Sequence, residues 1–156
     1  MLSYFAAIAL SLTNAAAADS DWYYVDADSK GSNITFIDKG SIRTNAGGFT
    51  EAAMFSVLAQ DEEGVSAYRF IVEFDCPANR SHLMTGEMFD SALKSDGPSD
   101  MGVEWEGTDP GTQGETILKF VCSKGASAPD SKSLGAAFPL AKGRAILAER
   151  AAKKGS

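Results

Sequence analysis

Residues 66–76, SAYRFIVEFDC, carry the most regular pattern in the chain and decide its fold. Apolar side chains recur at every second position, and Arg69, Glu73 and Asp75 lie among the residues between them. A period of two, held over nine residues, predicts a β-strand with one buried face. The predicted buried series is Tyr68, Phe70, Val72, Phe74 and Cys76.

Further strands are predicted on both sides of this stretch. Residues 22–25 and 33–37 are aromatic and β-branched, which predicts a hairpin, and residues 81–89 predict another strand. Residues 38–41, DKGS, are typical of a turn. Residues 49–59 have apolar side chains at both parities, which predicts a central strand covered on both faces.

The best helix signal follows a polar loop at residues 91–102. Thr112 and Glu115 have the spacing of a capping box, and Gly125 is placed to end a helix over 112–124. Ile117, Leu118, Val121 and Cys122 then fall on one side of it. The chain is therefore expected to be an α+β protein, with an antiparallel sheet of five to six strands packed against one C-terminal helix.

The remaining residues divide into a leader, a body and a tail. Residues 1–18 have no charged side chain, and their apolar run precedes four alanines, which predicts a signal peptide cleaved near Ala18. No Cys lies near that point, so no lipid anchor is expected, and a periplasmic or secreted protein is predicted. Residues 19–125 form the predicted domain. Residues 126–156 predict a flexible linker and a short basic helix or tail.

Charge is distributed unevenly along the chain. The net charge of the whole chain is −7, which argues against nucleic acid as a partner. Residues 19–123 carry a net charge of −12, whereas residues 124–156 carry +5. The basic tail is either a patch for anionic surfaces or a solvated segment that folds back on the acidic body. No later segment is long and apolar enough to predict a membrane span.

Cys76 and Cys122 are the only cysteines. One is predicted on the apolar face of a strand and the other on the apolar face of a helix, and these faces meet if the helix packs on the sheet. In an exported chain the simplest expectation is one disulfide bond, the alternative being a reactive thiol. Neither a metal site nor a cofactor site is predicted, since the chain has one His and two Cys.

Candidate functional residues are few. His82 is the only histidine, and Glu104 and Glu106 flank Trp105 in a pattern that also suits an exposed segment. Residues 26–31, DADSKG, resemble the opening of a calcium loop, but a hairpin turn explains them as well. Five aromatic residues could line a binding surface or fill the core: Tyr23, Tyr24, Phe49, Phe55 and Trp105. No enzymatic activity is predicted, because the sequence lacks an evident nucleophile and base.

The order of these elements resembles the surface-adhesin protein E family of Gram-negative bacteria. The resemblance rests on the exported leader, the aromatic first strand, the segment Phe36-Ile37-Asp38-Lys39-Gly40-Ser41-Ile42, and the strand and helix that end in the two cysteines. It covers residues 22–125. The family implies an antiparallel sheet with one packed helix and a structural disulfide between Cys76 and Cys122.

The resemblance also implies a function. It implies an adhesin-like, non-enzymatic module that binds a protein partner at the bacterial envelope, or host extracellular-matrix proteins. It identifies no ligand-contacting residue in this sequence. The alternative is a soluble periplasmic inhibitor or accessory protein, in which a loop such as residues 91–102 inserts into an envelope enzyme.

Overall fold

The computed structural model describes residues 20–128 and 131–155, where an antiparallel sheet carries the fold. Five long strands lie side by side in their order along the chain. They are Trp22–Ala27 (β1), Asn33–Thr44 (β2), Thr50–Glu62 (β3), Val65–Asp75 (β4) and Arg80–Phe89 (β5). Two short strands, Ser99–Asp100 (β6) and Glu106–Gly107 (β7), pair with the outer edge of β5.

Two helices, Gln113–Cys122 (α1) and Leu140–Lys154 (α2), pack on opposite faces of the sheet. The predicted capping box is present, since Thr112 Oγ1 accepts a hydrogen bond from the backbone N–H of Glu115. The Glu115 carboxylate reaches back to the backbone N–H of Gly111, at 2.8 Å. The first bond satisfies a donor that the first turn of a helix leaves free, and the second ties the residue before the N-cap to that turn.

The α1 face has a core of its own. Phe120 and Val121 of α1 are buried against Ile37, Val72 and Phe74 of the sheet. At the end of the same helix, Cys122 forms a disulfide bond with Cys76, which directly follows β4. The predicted α+β fold, with an antiparallel sheet, a packed helix and this disulfide, is confirmed.

The α2 face has a second core built around Phe55. The ring of Phe138 stacks on that of Phe55, with centroids 4.9 Å apart, and Trp22 meets Phe55 edge-on at 5.7 Å. Leu147 of α2 is buried in the same cluster. Because Ala52 of β3 belongs to the α1 core, this strand is apolar on both sides, as the sequence predicts for a central strand.

The C-terminal segment differs in part from the predicted flexible linker and tail over 126–156. The backbone N–H of Leu134 donates to the carbonyl of Trp22, and the N–H of Trp22 donates to the carbonyl of Gly135. These bonds use the free edge of β1. The predicted short basic helix is present as α2, which packs on the sheet because Leu147 and Phe138 are apolar.

Two local predictions need correction. Residues 38–41 do not turn the chain but lie inside β2, where the pairing register shifts. The Asp38 carboxylate accepts the N–H of Gly40, and Ser41 Oγ accepts the N–H of Ala53, so the chain forms a bulge. In β4, Val72 and Phe74 are buried as predicted, but Tyr68 and Phe70 are only half-buried because α1 covers only part of that face.

The predicted signal peptide, residues 1–18, lies outside the described residues. Within residues 20–128 and 131–155, neither helix has the length and apolar character needed to cross a membrane.

Candidate protein-binding surface

The half of the α2 face that α2 leaves open carries a cluster of aromatic and charged side chains. Phe49 precedes β3, His82 lies on β5, and Trp105 lies in the segment before β7. Glu73 of β4 is opposite His82 in the strand register. We call Phe49, Glu73, Arg80, His82 and Trp105 the Trp105 surface.

Trp105 is the centre of this surface. Its ring centroid is 4.7 Å from that of Phe49 and 5.2 Å from that of His82. The guanidinium carbon of Arg80 lies 5.0 Å from the Trp105 ring centroid, which is the geometry of a cation–π contact. Three different types of side chain therefore hold one indole ring in place.

Ladder pairing explains why these residues meet. In the short strand β7, Glu106 pairs with Ser81 and Gly107 pairs with Arg80. This pairing holds the preceding residue, Trp105, next to β5. Arg80 is fixed in turn by Asp75, whose Oδ2 lies 2.8 Å from Nη2 and accepts a hydrogen bond from Nε at 2.9 Å.

Glu73 orients the polar part of the surface. One of its carboxylate oxygens lies 3.2 Å from Nδ1 of His82, and the other accepts a hydrogen bond from the side-chain amide of Asn45. Asn45 also accepts the backbone N–H of Phe49, at 3.1 Å. A single polar network thus links the β2–β3 turn to β4 and β5.

The surface is accessible to a partner. The side chain of Arg80 is 43% exposed and that of His82 is 29% exposed, while Phe49 and Trp105 are half-buried. Partly exposed Trp and Arg side chains, already held by their neighbours, lose little conformational entropy on binding. Such side chains are enriched at the energetic centres of protein interfaces.

The structure separates the five aromatic candidates predicted from the sequence. Phe49 and Trp105 come together on the Trp105 surface. Phe55 is buried in the α2 core, and Tyr24 packs against the same core. Tyr23 lies on the other face, with its ring 6.1 Å from that of Phe120.

The carboxylate candidates also have different outcomes. Glu104 and Glu106 are exposed on either side of Trp105. The carboxylate that contacts His82 is instead Glu73, which sequence reasoning missed as a site residue. The contact could have been predicted, because a hairpin between residues 66–76 and 81–89 places these two strands side by side.

The candidate calcium loop forms the β1–β2 turn. The Asp28 carboxylate accepts hydrogen bonds from the backbone N–H groups of Ser32 and Asn33, at 2.6 and 3.1 Å. Partial burial raises the pKa of Asp28, but the hydrogen bonds from Ser32, Asn33 and Gly31 outweigh it and hold this pKa below its ordinary value of 3.8. The hydrogen bonds of the turn therefore explain the Asp28 carboxylate without a bound calcium ion.

The fold and the Trp105 surface define a small disulfide-linked α+β module with an exposed aromatic face of the kind that protein-binding domains use. The chain belongs to the surface-adhesin protein E family, whose model matches residues 22–123, more than half of the 156 residues. The matched range contains all strands described above, α1 and both cysteines. No curated protein and no solved structure matches the chain.

Proposed function

We propose that this protein is an exported, non-enzymatic binding module of the bacterial envelope that binds a protein partner through the Trp105 surface. The observation that carries the proposal is the half-buried Trp105 ring, held between Phe49, His82 and the Arg80 guanidinium. Family membership supports an adhesin-like role. Periplasmic or secreted location, after cleavage near Ala18, is part of the same proposal and is consistent with the disulfide.

Charge indicates the chemistry of the partner. Residues 19–123 carry a net charge of −12, and Glu104 and Glu106 are exposed beside Trp105. An acidic rim around an aromatic centre favours a partner with a basic surface, because complementary charge speeds association and excludes acidic competitors. Host extracellular-matrix proteins are the class that the family implies.

A second candidate function rests on the loop between β5 and β6. Leu93 is 38% exposed and has a φ of 58°, a left-handed conformation that is unfavourable for leucine. The Asp90 carboxylate holds this turn by accepting the N–H groups of Ala92 and Lys94. A fixed, exposed apolar tip favours insertion into a partner, as in a periplasmic inhibitor or accessory protein.

Two matched variants test both candidates. Trp105→Ala removes a half-buried aromatic ring and Leu93→Ala removes an exposed apolar side chain. Binding would be measured by biolayer interferometry against purified extracellular-matrix proteins and against an extract of envelope enzymes. We expect Trp105→Ala to weaken binding to a matrix protein about tenfold or more, since truncation of a central aromatic costs about 2 kcal/mol or more. Leu93→Ala should leave that binding unchanged.

The opposite pattern would overturn the main proposal. If Leu93→Ala abolishes binding and Trp105→Ala does not, the loop is the binding element. Thermal unfolding of both variants controls for loss of fold. Protease treatment of intact cells tests location, because a protein displayed outside the cell is degraded before the outer membrane is opened.

A further inference from the structure

A groove at the C-terminal end of α2 gathers positive charge from two distant parts of the chain. Its volume is about 410 Å³, and it lies between the β1–β2 turn and the last turns of α2. Lys30 comes from the turn, whereas Arg150, Lys153 and Lys154 come from the helix. Residues 150, 153 and 154 are three and four positions apart, which puts them on one side of the helix.

Two of these cations are held in place by neutral partners. Arg150 donates a hydrogen bond to the hydroxyl oxygen of Tyr24, and its guanidinium carbon lies 5.7 Å from the centroid of that ring. Lys154 Nζ donates to the backbone carbonyl of Ser29, at 3.2 Å. Both contacts position the charge without neutralising it, and both groups keep further N–H donors for a ligand.

The carboxylates near the groove leave most of this charge uncompensated. Asp28 lines the groove and accepts hydrogen bonds from Ser32 and from the backbone of Asn33, so its carboxylate offsets one of the four positive charges. Glu149 pairs with Lys153, but both side chains are largely exposed, so the pair is weak. Among residues 20–128 and 131–155, no carboxylate lies within ion-pair distance of Lys30, Arg150 or Lys154.

A purely structural role explains only part of the cluster. Lys153 and Lys154 lie in the last turn of α2, where cations interact favourably with the helix dipole. This does not account for Lys30, which belongs to another element.

We propose that this groove binds a phosphate group, carried by a phospholipid headgroup or by a free phosphate compound. Arg and Lys donors that converge from two elements match the charge and the several acceptor oxygens of phosphate. The groove lies away from the Trp105 surface, since none of its lining residues belongs to that surface. Phosphate binding therefore uses none of the residues proposed to bind the protein partner.

The test compares charge reversals inside and outside the groove. Lys30→Glu combined with Lys154→Glu changes the groove, while Lys142→Glu makes the same kind of change at an exposed position of α2 that does not line it. Binding would be measured by calorimetry with pyrophosphate, and by co-sedimentation with phosphatidylglycerol vesicles and with phosphatidylcholine vesicles. Thermal unfolding would show that both variants fold.

We expect the wild type and Lys142→Glu to bind, and the double variant to bind about tenfold more weakly or worse, because it loses charge-assisted hydrogen bonds. Binding should also weaken at higher salt. Loss of pyrophosphate binding in the double variant supports a free phosphate ligand, and loss of binding to the anionic vesicles alone supports a lipid headgroup. Absence of binding by the wild type, or equal binding by all three proteins, overturns the proposal.

Discussion

The two faces of the sheet are covered by helices that are attached in different ways. On one face, α1 is fixed covalently, because Cys122 at its last turn is bonded to Cys76 at the end of β4. On the other face, α2 is attached through packing of Leu147 and Phe138 around Phe55, with polar contacts at its ends. One helix is therefore tied covalently to the sheet, whereas the other can separate from it without breaking a covalent bond.

This difference separates the family domain from its extension. The family match, residues 22–123, includes α1 and the disulfide but not α2. Without α2, the large apolar side chains of Trp22, Phe36 and Phe55 would lose part of their cover. The same face carries the open Trp105 surface at its other end. The covalent link thus lies on the α1 face, and the features available for binding lie on the α2 face.

Removal of the disulfide is the largest expected perturbation of the α1 face. The bridge closes a separation of 46 residues. The chain-entropy model gives about 4 kcal/mol of stabilisation for a loop of this length. Cys76→Ala combined with Cys122→Ala should lower the free energy of unfolding by about that amount, as measured by urea titration.

Reduction of the wild type provides the control for this variant. The wild type in dithiothreitol should unfold at a urea concentration close to that of the double variant. If the double variant keeps the stability of the oxidised wild type, packing rather than the covalent bond holds α1, and the two faces do not differ in the proposed way.

Most of the sheet could be predicted from the sequence because its patterns are local. The mixed parity of residues 49–59 reflects burial on both faces, and the alternation in residues 66–76 reflects burial of Val72 and Phe74 against α1. The prediction of a single buried face for residues 66–76 was wrong in part, because Ala67 is also buried, on the α2 face. The prediction of a turn at residues 38–41, DKGS, was wrong because the same residue types suit a turn and a bulge. The choice between them depends on Ala53, whose N–H reaches Ser41 across the ladder.

The candidate site was less predictable, because its members meet only through long-range pairing. Phe49 and Trp105 are 56 positions apart, and their contact depends on the short strand β7, which has no strong strand signal. The packing of α2 on the second face of the sheet was also not predicted. Residues 140–154 have a weak apolar side, and Leu147 becomes a core residue only once Phe55 lies opposite it.

Glycine substitutions in the two helices should have opposite effects. A Cβ added at Gly143 of α2 would lie 2.9 Å from Cβ and Cγ2 of Val57, which is too close. Gly143→Ala should therefore push α2 from the sheet and destabilise the protein by about 1 kcal/mol, since overpacking costs more than the gain in helix propensity. A Cβ added at Gly114 of α1 would make ordinary contacts at 3.5 Å.

The matched variant, Gly114→Ala, should thus stabilise the protein slightly, by up to about 1 kcal/mol. Thermal unfolding of both variants shows which substitution stabilises the protein and which destabilises it. Stabilisation by Gly143→Ala would mean that α2 is not pressed against Val57, and the close packing on the α2 face would have to be abandoned.

The smallest expected effect concerns the pH dependence of the α2 attachment. Asp61 accepts a hydrogen bond from Ser66 Oγ at 2.7 Å and another from Arg144 of α2. These two hydrogen bonds, with the nearby Arg144 charge, hold the pKa of Asp61 below its ordinary value of 3.8. A folded-state pKa below the unfolded one gives stability that is present above the unfolded pKa and is lost as the pH falls through the folded one.

Asp61→Asn should remove this contribution, so its urea midpoint should fall less steeply than that of the wild type as the pH drops below 3.8. Glu115→Gln is the counterpart on the α1 side, where hydrogen bonds from Lys119 and Gly111 lower the pKa of Glu115.

Hydrogen exchange distinguishes the effects of these two substitutions on their helices. Asp61→Asn should speed exchange in α2, whereas Glu115→Gln should leave the disulfide-bonded end of α1 protected. Equal exchange in both helices would show that the covalent bond gives α1 no local advantage, because separation from the sheet would then cost the same on either face.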